Sequence, residues 1–358
     1  MEKINFGLLQ AHTVKIYNLN QKEYELRIVP ARSLLKGTRF DLFAKLFYIR
    51  NRKSEPDFAR EIYKEHIKAF NPDLREPGRD DKNGYDDFIN AFEALIDDLT
   101  INGFDAEKSL IPVDEDGVIL DGAHRVSALA YADKQVKIVC FKNVKCKAKF
   151  DYEYFLKRGL SWRIADAIAL EMIKWQPNML IGCLWPRMGN TDEKKKVIEL
   201  INNKYPICYS KFVTTNIESF VHFIAKVYET QSWVGNEDNN FAGARDKAIN
   251  CYASNKQIAF VLFNASNLEE IIKFKERIRG RYKNEKHSIH ITDNVKETRD
   301  IAEFVFNVKE LEKWNNTKMK GISKLRDFFA EKAYYFKNVT LIKWKVSIAS
   351  FLNKTRII

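Results

Sequence analysis

Between Ser109 and Phe141 the chain runs SLIPVDEDGVILDGAHRVSALAYADKQVKIVCF, and no other stretch narrows the possible folds as much. It reads as turn, short strand, loop, helix and strand. Such a unit needs a sheet to join and a core to cover its helix, which implies an α+β domain. The apolar run Val118 to Leu120 is expected to be a strand that delivers Asp121 and Gly122 to a turn. Ala123 then opens a helix whose buried stripe is Val126, Leu129 and Ala130. The first backbone N–H groups of a helix have no intrahelical partner and carry the positive end of its dipole. His124 and Arg125 add donors beside them, and Gly122 leaves room for close approach, so the cluster suits an anion carried on phosphate oxygens. Asp121 fits such a site only with a positive charge between it and the phosphate, such as Mg²⁺, or as the group that orients a hydroxyl. The competing reading is a helix cap at Asp121 and a surface ion pair at Arg125.

Around this stretch the periodicity changes several times. Residues 13 to 30 alternate weakly about Asn18 to Gln21 and predict a hairpin. From Arg39 the spacing is helical in RFDLFAKLFYIRNRK, DFAREIYKEHIKAF and YDDFINAFEALIDDL, each expected to be amphipathic with one packed face. Arg39 and Asp41 stand at the mouth of the first of these helices. They serve either as polar residues of the same site or as a surface arginine and a helix-start carboxylate. Further on, a helix near Trp162 to Trp175 leads into alternating short strands and helices, including MLIGCLW, QIAFVLF and HSIHI as strands. That alternation predicts a second α/β or α+β domain. The expected divisions are 1–160, 161–316 and a basic, helical, amphipathic C-terminal segment over 317–358.

The DGAHR sequence with the preceding IPVDEDGVIL resembles the D-G-x-H-R box of the ParB/sulfiredoxin-like fold, over residues 95 to 150. In that superfamily the box lies at a helix start and holds the phosphates of a nucleotide or the backbone of a ligand. The form here is most similar to the branch of free-serine kinases, which phosphorylate a small hydroxyl compound. Sulfiredoxins place a cysteine where this chain has Ala123, and the helix-turn-helix that follows the box in partition proteins is not apparent. The resemblance implies ATP or another nucleotide with Mg²⁺ as cofactors. Gly122, Ala123, His124, Arg125 and Arg39 would bind the nucleotide, Asp121 the metal, and Asp121, His124, Arg125 and Asp41 would serve catalysis. The whole chain resembles proteins of surface-polysaccharide gene sets, which implies a sugar or polyol acceptor, with the second domain choosing or covering it. In the second domain, IRGRY followed by SIHITD resembles a stretch of nucleoside diphosphate kinases. That likeness implies a ferredoxin-like fold, Arg279 near phosphate, His287 in place of an asparagine and His290 as the phosphate-accepting histidine. Asp293 and Asn294 are equally helix-cap residues. Trp185 and Trp233 are either flat faces for a sugar or buried core residues, and Gly243 with Arg245 either a phosphate or sugar contact or a surface turn.

Composition closes off several classes. With 358 residues, 45% hydrophobic and 30% charged, the chain is globular, and 14 glycines with eight prolines argue for long helices and few tight turns. The net charge of +12 permits a nucleic acid, an anionic membrane or a phosphorylated small molecule as partner. Residues 317–358 hold ten Lys or Arg and two Asp or Glu, so the basic excess is concentrated there. Residues 337–358 interleave lysines with apolar side chains and are read either as a peripheral membrane contact or as a segment closing a core or a homodimer interface. The alternatives to a kinase are a ParB-like nucleic-acid-binding protein or nuclease, and a non-catalytic nucleotide-sensing scaffold. Against nucleic acid, no Lys/Arg stripe with interleaved aromatics crosses the folded segments. Five scattered cysteines without a CxxC pair imply a reducing compartment and buried thiols. No apolar leader and no run of about eighteen apolar residues is present, so a cytoplasmic location is expected.

Overall fold

A computed structural model describes residues 3–75, 83–239, 241–282 and 285–316. The expected C-terminal segment, with its membrane contact over 337–358, lies outside these. The chain divides into two units, the first ending at Ile164 and the second beginning at Ala165. Each is a mixed arrangement of helices around one small sheet.

The first unit contains α1 (Ala11–Tyr17), β1 (Tyr24–Pro30), α2 (Phe40–Asn51), α3 (Pro56–Phe70), α4 (Tyr85–Ile101), β2 (Ile111–Val113), α5 (Ala123–Tyr131), β3 (Gln135–Phe141) and α6 (Tyr152–Lys157). Its sheet has the order β1-β3-β2, with β1 antiparallel and β2 parallel to β3. The predicted N-terminal hairpin is half wrong. Residues 11–17 form a helix closed by Asn18 in the left-handed conformation, and β1 pairs with β3 from Tyr24↔Phe141 to Pro30↔Gln135. Leu19, which a hairpin turn would expose, is fully buried in a cluster with Leu9, Val139 and Phe141.

The predicted strand over Val118 to Leu120 shrinks to one bridge, Ile119 to Val113. Asp114 closes the turn that brings this run back beside β2, its Oδ1 accepting from the amides of Asp116 and Val118 at 2.9 and 2.8 Å, and backbone bonds from Asp114 to Val118 and from Leu120 to Pro112 flank the bridge. The expectation of one-sided packing also fails for α2, where eleven of twelve residues are buried, Asp41 and Lys45 among them. A helix that is apolar all round belongs inside, and this one carries its charges inside with it. By contrast α3 and α4 bury single faces, through Ile62, Tyr63, His66 and Ile67 on one and Phe88, Phe92, Ile96 and Leu99 on the other.

The helix α7 (Trp162–Trp175) spans the division between the units. The second unit follows with β4 (Met179–Leu184), α8 (Thr191–Asn202), β5 (Ile207–Thr214), α9 (Ile217–Val227), α10 (Ala242–Cys251), β6 (Gln257–Asn264), α11 (Leu268–Arg279), β7 (Ile289–Ile291), α12 (Val295–Phe306) and α13 (Val308–Asn316). Its four strands are antiparallel in the order β5-β6-β4-β7. All six residues of β4 are buried, as a strand covered on both faces requires. The predicted strand HSIHI is shortened. Three residues pair with β4, His290 opposite Cys183, while His287 ends a 3₁₀ turn.

Candidate functional site

Residues from α2 and from the start of α5 line one cleft of about 670 Å³ in the first unit. Arg39, Asp41, Asp121, Gly122, Ala123, His124 and Arg125, all singled out from sequence, border it together. Two contacts bring these segments together across about eighty residues of chain. The Arg39 guanidinium donates to the Ile119 carbonyl, and the Ser127 hydroxyl on α5 donates to the Leu42 carbonyl on α2 at 3.3 Å.

Arg39 is not the surface arginine of the simpler reading, since 4% of it is exposed. It grips Asp41 with two hydrogen bonds, Nε to Oδ1 at 2.8 Å and Nη2 to Oδ2 at 2.9 Å, and lies over the Phe150 ring at 5.2 Å. Burial works against both charges, yet each partner outweighs it. The guanidinium is held above its ordinary pKa by Asp41, and the carboxyl below its own by Arg39 and Lys45. Asp41 is therefore the counter-ion that keeps two buried cations charged, and both its oxygens are already engaged.

At the start of α5, Gly122 occupies the left-handed region with φ +90° and no side chain caps the helix. Asp121 is thus not a cap. Its Oδ2 accepts from Arg125 Nη2 at 2.9 Å, and Arg125 Nη1 reaches the Leu110 carbonyl at 3.4 Å. Burial pulls the Arg125 pKa down, and Asp121 offsets part of that. The ion pair expected of the simpler reading exists, but within the motif and on the wall of the cleft. Room for phosphate is not what requires Gly122, because Ile111 and Arg125 already crowd its open side. His124 sets its Nε2 3.0 Å from the Tyr63 hydroxyl, with its ring edge-on to Phe92.

Lys45 also borders the cleft, and sequence reasoning missed it. Its ammonium is 3.6 Å from Asp41 Oδ2 and donates to the Asp41 carbonyl at 3.3 Å. Burial, reinforced by Arg39 and opposed by Asp41, pulls its pKa down to about 8. Nearby His66 is fully buried among Phe70, Phe155 and Tyr63, and neither ring nitrogen has a hydrogen-bond partner. Burial, with Lys45 adding to it, keeps that imidazole neutral. In the sequence Lys45 stands one helical turn after Asp41, the two being the only charged residues of the apolar run FDLFAKLFYI.

The second unit has a smaller cleft of about 350 Å³ lined by Tyr228, Trp233, His290, Asp293 and Glu297 among others. His290 Nε2 lies 2.8 Å from Glu297 Oε1 and its Nδ1 3.3 Å from the Tyr228 hydroxyl. Arg279 and His287 do not border this cleft. The Arg279 guanidinium donates to the Ile289 carbonyl and to Glu276, and His287 sits beside Lys247 and Cys251. Asn294 caps α12 as expected, accepting from the Glu297 amide at 2.9 Å. Arg245 makes a two-pronged pair with Glu218, and Trp185 is fully buried. Trp233 is 45% exposed.

Among the described residues, no group of three or more His, Cys, Asp or Glu side chains is placed to hold a metal ion. Nor is any helix there long and apolar enough to cross a membrane. Comparison with protein-family models, with curated proteins and with solved structures finds no match.

Proposed function

We propose that the first unit is a nucleotide-dependent phosphotransferase of the ParB/sulfiredoxin-like fold, acting on the hydroxyl of a small metabolite. The observation that carries this reading is the convergence of Arg39, Asp41 and the Asp121–Arg125 box on one cleft. Cations from two elements and the open start of α5 face a common volume, which is the arrangement a polyphosphate needs. Asp121 opposes that anion unless a positive charge lies between them. Mg²⁺ would supply the charge neutralisation, and the residues present fit an ion held by one carboxylate together with phosphate oxygens. Arg125 and the first amides of α5 would orient the terminal phosphoryl group. With Asp121 placed to hold the metal, the acceptor hydroxyl oxygen would bond to phosphorus as the nucleoside diphosphate departs, its proton passing to solvent. A sugar or polyol as acceptor rests on resemblance alone.

For the second unit we propose a ferredoxin-like fold. The order β5-β6-β4-β7 with all neighbours antiparallel supports it, and α9 and α10 would be additions between its second and third strands.

Titration calorimetry of the full chain with ATP, GTP and CTP, with and without Mg²⁺, tests the reading. Arg125→Ala should weaken binding about 10- to 100-fold by removing a charged donor and leaving Asp121 unopposed. Asp121→Asn should retain nucleotide affinity, or raise it when metal is absent, and lose turnover. A folded chain that binds none of these nucleotides overturns the proposal. Affinity for DNA that collapses as salt rises would instead favour the nucleic-acid reading.

A further inference from the structure

Lys45 lies one helical turn after Asp41, with 2% of the residue exposed, on the wall of the first-unit cleft. An ammonium carries three N–H donors. The acceptors beside it are the Asp41 carbonyl at 3.3 Å and Oδ2 at 3.6 Å, and Oδ2 already takes a shorter bond from Arg39 at 2.9 Å. Across from it the Phe70 ring stands 5.6 Å away, a face that attracts a cation but accepts no full hydrogen bond. The charged and titratable groups acting on this cluster are Arg39 and Asp41 from α2, His66 from α3, through Asp41 also His124 from α5 and Tyr154 from α6, and through Arg39 also Asp121 and Cys146. Two cations thus share one carboxylate in a buried place, and the nearer cation has most of it. Burying a charge is costly unless it is fully paired, and the cleft is where further pairing can come from.

We propose that Lys45 is a phosphate-binding residue, whose ammonium completes its pairing on a phosphate oxygen of the ligand that enters the cleft. This rests on the phosphate reading of the cleft given above. It also separates Lys45 from Arg39 and Arg125, because a guanidinium does not titrate in the neutral range. With its pKa pulled down to about 8, Lys45 is only partly charged in mildly alkaline solution. An anion bound against it favours the protonated form, so binding must take up protons around that pH and weaken as the pH rises through it. A lysine serving the fold alone would show neither effect.

The test is calorimetry of the full chain with inorganic pyrophosphate near pH 8, in buffers of different ionisation enthalpy. The expected result is uptake of a fraction of a proton by wild type and none by Lys45→Met or Lys45→Gln. At lower pH, where Lys45 is charged, those variants should bind about tenfold or more weakly. Should the variants fail to fold, an NMR titration of the Lys45 ammonium in lysine-labelled wild type gives the same information. Pyrophosphate should move its pH midpoint upward. Binding without proton uptake and without a shift of the Lys45 midpoint overturns this inference and leaves the cleft's phosphate reading standing. If neither pyrophosphate nor ATP binds the folded chain, the phosphate reading itself fails, and the role of Lys45 with it.

Discussion

Replacing Asp41 by asparagine is expected to cost the first unit about 3–5 kcal/mol of stability, because it removes the carboxylate that compensates two buried cations. Arg39 would keep the Ile119 carbonyl and the Phe150 ring, and neither carries a countercharge. Lys45 has another way out, which is to lose its proton. The sign of the pH dependence follows. In the folded chain the Lys45 pKa is already depressed to about 8, and loss of Asp41 depresses it further, while in the unfolded chain it returns to its ordinary value of roughly 10.4. Between those values the unfolded state binds more protons, so stability rises with pH and is lost as pH falls through the folded pKa. Part of the deficit of Asp41→Asn should therefore be recovered in mildly alkaline buffer. Urea unfolding of the full chain at several pH values measures both effects. Adding Arg39→Gln should make the double variant less damaged than the sum of the two. A loss below about 1 kcal/mol in Asp41→Asn would mean that the cations are not buried as described.

Gly122→Ala should be of comparable severity, about 2–4 kcal/mol, through two separate costs. A left-handed φ of +90° disfavours any side chain, by about 1–2 kcal/mol. The added Cβ would also stand 2.5 Å from Ile111 Cδ1 and 3.0 Å from Arg125 Nη2, so it overpacks β2 and pushes the guanidinium from Asp121. Gly117 separates the two costs. It has φ +74°, but the nearest atoms to a new Cβ are in the Lys36 side chain at 3.8 Å. Gly117→Ala should thus cost only about 1–2 kcal/mol and leave the cleft intact. Unfolding midpoints and nucleotide affinity, measured on both variants, give the comparison. Equal stability losses would show that crowding at Gly122 contributes nothing.

What could be read from the sequence was mostly what local periodicity controls. The helices α2 to α4, α7 and the alternation of the second unit followed from spacing, since each carries enough turns to show its period. Residues 13–17, TVKIY, were too short to separate a period of two from a helical one, and Asn18 in the left-handed conformation suits a hairpin turn as well as a helix end. The run VIL at 118–120 has strand composition and does pair with 112–114, but the left-handed turn at Gly122 carries the chain into α5 after a single bridge. The turn and helix start at 121–125, which border the cleft, were legible because both are written in consecutive residues. Whether Arg39 was surface or site depended on Ile119 and Phe150, partners that no local pattern reveals. The burial of Lys45 is illegible for a similar reason, since a lysine one turn after Asp41 suits an exposed helix face as well as a buried one.

The pairing of β1 with β3 has a consequence for how the first unit is made on the ribosome. Tyr24 to Pro30 emerge early, yet their hydrogen-bonding partners at Gln135 to Phe141 are synthesised more than a hundred residues later. Elongation at about 5–20 residues per second leaves that strand edge waiting for seconds. Helices α2 to α4 can gather during this interval, as their contacts are local, but the sheet cannot begin until β3 arrives. The nascent chain therefore holds an unpaired, half-apolar strand at its leading end throughout, the kind of segment that chaperones bind and that pairs wrongly when chains are crowded. Ribosome-bound chains stalled before residue 135 should therefore bind chaperone through β1, and chains stalled after β3 has emerged should release it.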